Sequence, residues 1–284
     1  IDMHLVNSLQ LSMRKTMFRT ITLFLILSFS TQSLYAADFN QVFKAYEAED
    51  YQTALSGFEE LAKAGHVKAK FYLGTMYREG KGVEQDYVIS LSWYKQAAEQ
   101  GTAKAQHNVA MFYHNGIAVE RNIQTAVEWY TKAAEQGFVP SMTNMAKLYY
   151  DGQGIERDID KAINWWRRSA ELGNKGAQHN LGLMYFLGRG VEQDYPEALN
   201  WYKKAATQGS KEAQNSLGAM YFEANGVEKD LIESYAWFKL AERAELEQAK
   251  LNVAIIEANL NEQELSIAKQ RAEEYLAKYP SAED

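Results

Sequence analysis

The sequence predicts an all-α protein built from repeated antiparallel helix pairs. Three observations predict this class: similar residues recur every 36 positions, each block carries apolar residues at helical spacing, and glycines follow the helix-like stretches. In phase, the period gives five blocks, at residues 66–101, 102–137, 138–173, 174–209 and 210–245. A fixed period of this length is typical of repeat architectures, in which each unit packs only on its neighbours.

Each block predicts two helices. The first carries the pattern A-x-x-x-[LVM]-[GA]-x-x-Y, whose small and apolar positions share one helical face. Its middle holds Gly74, Gly182 and Gly218 in three blocks, although glycine destabilises a helix interior by about 1 kcal/mol relative to alanine. We therefore expect a neighbouring helix to approach closely at this column, which also contains Ala110 and Ala146.

The second helix carries a tryptophan and ends at a glycine, the residue that most easily takes positive φ just past a helix. We expect the indoles to face away from water. The tryptophan column is Trp93, Trp129, Trp165, Trp201 and Trp237, and the terminal glycines are Gly101, Gly137, Gly173 and Gly209.

The segments "GKGVEQD" (80–86) and "GRGVEQD" (188–194) raise the question of a phosphate or metal loop. No strand precedes them and no G-K-[ST] ending follows, as a phosphate loop requires. The acidic column also contains Asn122, which an N-cap tolerates and a metal site or general base does not. We interpret the segments as turns followed by helix caps, with capping residues Asp50, Asp86, Asn122, Asp158, Asp194 and Asp230.

Residues 1–36 have the three-part pattern of a signal peptide. Basic residues at 14, 15 and 19 precede an apolar run at 21–29, which is too short to span a bilayer as a helix. We expect cleavage after Ala36, with Met13 as the true start and a periplasmic or secreted product; the alternative is an uncleaved membrane anchor. The absence of any N-x-[ST] sequon favours a bacterial periplasm.

The segment "AQHNLGLMYFLGRGVEQDYPEALNWYKKAATQG" (177–209) resembles the Sel-1-like repeat, a relative of the tetratricopeptide repeat. The resemblance extends over residues 66–245 and implies a right-handed α-solenoid of about seven antiparallel helix pairs. It also implies an adaptor that binds proteins and has no shared catalytic activity. Residues 37–65 resemble a tetratricopeptide-like helix pair, and residues 246–284 would be C-terminal capping helices.

Composition argues against several other classes. The net charge of −7 without a basic block disfavours nucleic acid as a partner. The chain has no cysteine and no hydrolase motif, and its five histidines are not spaced to close around one metal. We expect a non-catalytic protein without cofactor or metal, monomeric and without stable membrane insertion after cleavage.

If the first helices line the concave face, as in tetratricopeptide arrays, their remaining positions face a groove. One column contains Asn108, Asn144, Asn180 and Asn252, with Tyr72 and Ser216. Their amides could hold the main chain of an extended peptide, or they could bond to neighbouring helices in the stack. The neighbouring columns contribute Tyr150, Leu183, Phe186, Leu187 and Phe222. The four apolar residues from Leu183 to Phe222 form a partner-binding patch or pack against the following pair.

The favoured function is an exported adaptor that binds a protein or peptide of unknown identity through this groove. One alternative is a secreted effector or virulence factor that binds a host protein. Another is a cell-envelope glycan-binding protein, in which Tyr150 and Phe186 would stack on sugars.

Overall fold

The computed structural model describes residues 39–279, and every regular element in that range is a helix. The first, α1, comprises residues 39–47. The others are α2 (Tyr51–Lys63), α3 (Val67–Glu79), α4 (Tyr87–Glu99), α5 (Ala103–Asn115), α6 (Ile123–Glu135), α7 (Val139–Asp151), α8 (Ile159–Glu171), α9 (Lys175–Leu187), α10 (Tyr195–Ala206), α11 (Lys211–Glu223), α12 (Leu231–Arg243), α13 (Glu247–Glu257) and α14 (Glu262–Lys278). The predicted signal peptide lies outside the described residues.

The described helices fall into two compact units that divide between Arg121 and Asn122. In the first unit, α2 packs against α3, α3 against α4 and α4 against α5. In the second, the same succession runs from α6 to α13. Each unit therefore buries its apolar residues between sequential neighbours, as a repeat architecture requires.

The predicted capping column is confirmed at all six positions. Asp194 Oδ1 accepts a hydrogen bond from the main-chain N–H of Glu197 at 2.9 Å. Asn122 accepts one from Thr125 at the same distance, so an amide oxygen caps the helix as a carboxylate oxygen does. Asp50, Asp86, Asp158 and Asp230 cap their helices in the same way. The glycine-rich segments are turns between two helices of a pair.

The predicted close approach at the mid-helix glycines is also confirmed. A Cβ on Gly74 would lie 2.7 Å from the ring of Tyr94, and one on Gly218 would lie 2.7 Å from the ring of Phe238. The hydroxyl of Ser90 donates to the carbonyl of Gly74 at 2.7 Å, between the same two helices. The two helices of a pair therefore meet where one has no side chain.

The aromatic residue at the centre of each pair is the one that follows the tryptophan. These residues are Tyr94, Tyr130, Trp166, Tyr202 and Phe238, and all are buried. The tryptophans themselves are half-buried at 93, 129 and 165 and buried at 201 and 237. Lysine or arginine side chains lie over three of them, Lys132 over Trp129 at 4.1 Å, Arg168 over Trp165 at 4.6 Å and Lys204 over Trp201 at 3.9 Å. The indoles of Trp93, Trp129 and Trp165 therefore lie at the edge of the core, whereas those of Trp201 and Trp237 are part of it.

The C-terminal helix α14 packs against α12. Trp237 of α12 lies 4.9 Å from Tyr275 and 5.3 Å from Tyr279, between ring centroids. Arg243 donates to the carbonyl of Leu276 at 2.8 Å and to that of Tyr279 at 2.9 Å. Because α14 is held on α12, part of α13 stays open to solvent, with Leu251 62% exposed and Ile255 48% exposed.

Replacing Asp194 by alanine should lower the free energy of unfolding by about 1 kcal/mol, because the N–H of Glu197 loses its acceptor. Asp194→Asn should remain within a few tenths of a kcal/mol of the parent, as the native Asn122 suggests. Urea unfolding followed by circular dichroism measures both. Equal losses in the two variants would show that the charge matters and the cap does not.

Candidate functional site

A cavity of about 130 Å³ lies among α11, α12 and α13 in the second unit. Its lining residues are Ala219, Phe222, Glu223, Phe238, Asn252, Ile255 and Ile256. Two of them, Phe222 and Asn252, belong to the groove residues predicted from the sequence. The cavity adjoins the open apolar face of α13, so apolar surface and an indentation occur together.

Some residues of the predicted apolar patch pack against the core, and another is exposed to solvent. Leu183 and Phe186 are half-buried against the core cluster that contains Tyr202, as the packing alternative expects. The ring of Phe186 lies 5.3 Å from that of Tyr195. Leu187 is 45% exposed. The structure therefore leaves Leu187 open and places Phe222 in the cavity wall.

Tyr150 is half-buried and contacts three side chains. Its ring lies 5.1 Å from that of Trp166. The guanidinium carbon of Arg157 lies 5.6 Å from the same ring, and Arg189 donates to the Tyr150 hydroxyl at 2.5 Å. The sequence pattern did not predict that the two arginines contact Tyr150. Arg189 is 39 residues away from it, so only the fold brings them together.

The asparagine column bonds to neighbouring helices at the positions where the core residue is a tyrosine. The side chain of Asn108 is hydrogen-bonded to the buried hydroxyl of Tyr94, and that of Asn144 to Tyr130. Burial raises the pKa of Tyr130 to about 12, while the hydrogen bond with Asn144 acts in the opposite direction. These asparagines contribute hydrogen bonds to buried hydroxyls, and Tyr94 has a second partner in Thr75, whose hydroxyl lies 3.0 Å from its own.

The other two asparagines have different partners. Asn180 is hydrogen-bonded to the side chain of His179. Asn252 donates to Asn215 at 2.8 Å. In the pair before Asn180 the core residue is Trp166, which has no hydroxyl and whose buried indole nitrogen has no hydrogen-bond partner among residues 39–279. Neighbour contacts thus occupy this column, and its use for peptide binding stays a prediction.

A glutamine column that the sequence reasoning missed also links successive pairs. The side-chain amides of Gln106, Gln178 and Gln214 donate to the carbonyls of Ala98, Ala170 and Ala206 at 3.1, 3.0 and 3.1 Å. Each of these carbonyls also accepts a main-chain bond from the glycine after the helix, so the glutamine adds a second bond and links the next first helix to the end of the preceding second helix. The recurrence of glutamine at one repeat position could have predicted these bonds.

Burial also lowers the pKa of two histidines. It lowers the pKa of His107 to about 4. It lowers the pKa of His179 as well, although the nearby Glu212 and the Asn180 hydrogen bond oppose it. Within residues 39–279, no three His, Asp or Glu side chains are grouped as metal ligands. In the same range, no helix combines the length and apolar character needed to cross a bilayer.

Five matches to the Sel1 repeat family model cover residues 67–102, 103–138, 139–174, 176–210 and 211–245. They account for more than half of the chain, which therefore belongs to the Sel1 repeat family. Proteins of this family generally mediate protein–protein interaction and are typically non-catalytic.

Solved structures show the same architecture. A Sel1 repeat protein from Oxalobacter formigenes is 34% identical, with a TM-score of 0.69 over 72% of this chain and 84% of its own. The protein c5321, a protective antigen present in uropathogenic Escherichia coli strains, is 29% identical with a TM-score of 0.56. That match covers 85% of this chain, which spans 61% of c5321. These likenesses confirm the predicted α-solenoid fold class. A search of curated protein sequences finds no match.

Replacing Asn144 by alanine should lower the free energy of unfolding by about 1–2 kcal/mol, because the buried Tyr130 hydroxyl loses its hydrogen bond with Asn144. In a Tyr130→Phe background the same replacement should have little effect, since neither partner is then polar. A double-mutant cycle from urea unfolding measures the coupling. Equal losses in both backgrounds would mean that Asn144 acts elsewhere.

Stability should fall as the pH is lowered from about 6.5 towards 4. Unfolded His107 has an ordinary pKa near 6.5 and folded His107 a pKa of about 4, so the unfolded state binds more protons in this window. His107→Gln should reduce the loss between pH 7 and pH 5 by about 1 kcal/mol, allowing for incomplete burial. Thermal melts at both pH values test this. An unchanged pH dependence in the variant would contradict it.

Proposed function

We propose that this chain is an exported adaptor that binds another protein through the groove formed by the first helices of its repeats. The observation that supports this proposal is the cavity among α11, α12 and α13, which is lined in part by the exposed Ile255. Leu251, one turn earlier on α13, is also exposed. Contiguous exposed apolar surface on a soluble protein often marks a partner site.

The cavity has the composition of a binding pocket for an apolar side chain. Phe222, Phe238 and Ile256 supply apolar walls, and Glu223 and Asn252 supply polar groups. Pockets of this kind are lined mainly by apolar residues, with a few polar groups that fix the orientation of the ligand. An extended segment of a partner could insert one apolar residue here while its main chain bonds to the polar groups.

The contacts of the groove aromatics favour a protein over a glycan. A sugar-stacking ring needs a free face. The ring of Tyr150 already lies against Trp166, and that of Phe186 against Tyr195. Both rings are half-buried, which leaves little flat surface for a sugar.

Export belongs to the proposal because residues 1–36 carry the signal-peptide pattern. An adaptor of the cell envelope and a secreted effector differ in where the chain accumulates and in whose protein it binds. The following experiment therefore reports on location and partner together.

Photo-crosslinking amino acids placed at Leu187 or Ile255 should capture a discrete partner protein in living cells of the source organism. The same probe at Leu172, which is 58% exposed at the end of the second helix α8, is the matched control and should not capture it. Mass spectrometry of the periplasmic and culture-medium fractions identifies the partner and its compartment.

Equal capture from Leu172 would show that the first-helix surface is not the site. Retention of the chain in the cytoplasm would overturn export. Capture of a host protein from the medium would favour the effector over the adaptor.

A further inference from the structure

We propose that Tyr150, Arg157 and Arg189 form a carboxylate-binding site, so that the partner presents an Asp or Glu side chain to it. The inference rests on the proposed protein-binding function and specifies the chemistry of the segment that is bound. It starts from two arginines, contributed by successive repeats, that converge on one tyrosine.

The two arginines have no carboxylate partner in the described part of the chain. Arg157 donates through Nε to the main-chain carbonyl of Tyr150 at 3.0 Å, and its guanidinium lies against the ring of that residue. Arg189 uses one terminal nitrogen for the Tyr150 hydroxyl. Each guanidinium carries five N–H donors in a planar fork, so most donors of both groups remain available. A carboxylate accepts such a fork through both oxygens.

Comparison with the other repeats shows that the charge of Arg157 is not needed for the fold. At the equivalent position, Gln193 donates to the carbonyl of Phe186 at 2.9 Å, and Gln85 donates to that of Arg78 at 2.7 Å. A neutral amide therefore satisfies the carbonyl equally well. The guanidinium at position 157 is surplus to that structural role and is available for a ligand.

The surroundings of Tyr150 carry both cations and carboxylates. Lys147 is exposed on α7, one turn before Tyr150. Exposed carboxylates at Asp151, Glu156 and Glu192 lie in the same segments, so the charge preference of the site comes from the two guanidinium groups that contact Tyr150. Two guanidinium groups at one tyrosine favour an acidic ligand although the whole chain has a net charge of −7.

The ring of Tyr150 is held by packing, and its repeat position relates the site to the apolar cavity. Tyr150 packs on the buried Trp166, which fixes the ring that both arginines contact. Phe222 of the cavity occupies the Tyr150 position two repeats later. At about 10 Å per packed helix, the separation is roughly 20 Å, or about six residues of extended chain. The expected partner segment therefore carries an acidic residue and an apolar residue at about that spacing.

Selection from a randomised dodecapeptide library tests the site. The wild-type chain should enrich Asp or Glu at one peptide position together with apolar residues at another. Arg157→Gln combined with Arg189→Gln should lose the acidic enrichment and keep the apolar one. Arg157→Gln retains the donor to the Tyr150 carbonyl, as Gln193 does at the equivalent position.

Arg121→Gln is the matched control. Arg121 donates to the carbonyl of His114 in the same way, at 3.0 Å, but the residue that occupies the Arg189 position in the following repeat is Gln153. The control should keep the acidic enrichment of the wild type, because it leaves the converging pair intact.

Fluorescence anisotropy of one selected peptide provides the magnitude. The double variant should bind it about tenfold more weakly, and replacing the peptide's acidic residue by Gln should weaken wild-type binding by the same factor. The two changes together should give no further loss. Added salt should weaken binding of the acidic peptide to the wild type more than to the double variant.

Three outcomes would count against the site. Acidic enrichment that persists in the double variant, or apolar enrichment alone in the wild type, overturns the carboxylate site and leaves the proposed function standing. Failure of the wild-type chain to select any peptide overturns both.

Discussion

The contact on which the rest of the structure depends is made by an aromatic ring of one helix, which packs against the backbone of the other helix at a glycine. In the pair of α3 and α4, the ring of Tyr94 lies so close to Gly74 that a Cβ there would be only 2.7 Å from it. Two helices that meet in this way approach closely, and the hydroxyl of Ser90 reaches the glycine carbonyl. The helix propensity lost at the glycine is offset by burial of a large ring, which contributes about 1.5–3 kcal/mol for a side chain of this size.

Where this ring is a tyrosine, its hydroxyl needs a hydrogen-bond partner, which the next repeat supplies. A buried tyrosine brings its hydroxyl into the core, and an unsatisfied hydroxyl there is destabilising. Asn108 and Asn144, in the helices that follow, bond to the hydroxyls of Tyr94 and Tyr130. The buried glutamines add bonds from first helices to the carbonyls of the preceding second helices. Successive pairs are thus joined by polar bonds as well as by apolar packing.

The sequence could predict part of the candidate site, because equivalent positions of successive repeats lie on the same face. Repeat position placed Phe222 and Asn252 among the groove residues, and both line the cavity. It could not separate Leu187, which is exposed, from Phe186, one residue earlier, whose ring packs on Tyr195. Adjacent helical residues differ in direction by about 100°, so a small change in helix rotation decides which one is buried. Arg157 and Arg189 were not predicted as a pair, because only the packing of successive turns brings them to Tyr150.

The sequence by itself determined the period, the helix ends, the capping residues and the family. These features depend on contacts within a few residues or on recurrence at a fixed spacing, and both are visible in one dimension. Only the tertiary structure decided that the residue after each tryptophan is the central one, and that α14 packs on α12 and leaves Leu251 and Ile255 open. Those outcomes depend on the rotation of each helix and on contacts between residues far apart in the chain. Such contacts are selected by the total packing energy of the unit, which no local pattern records.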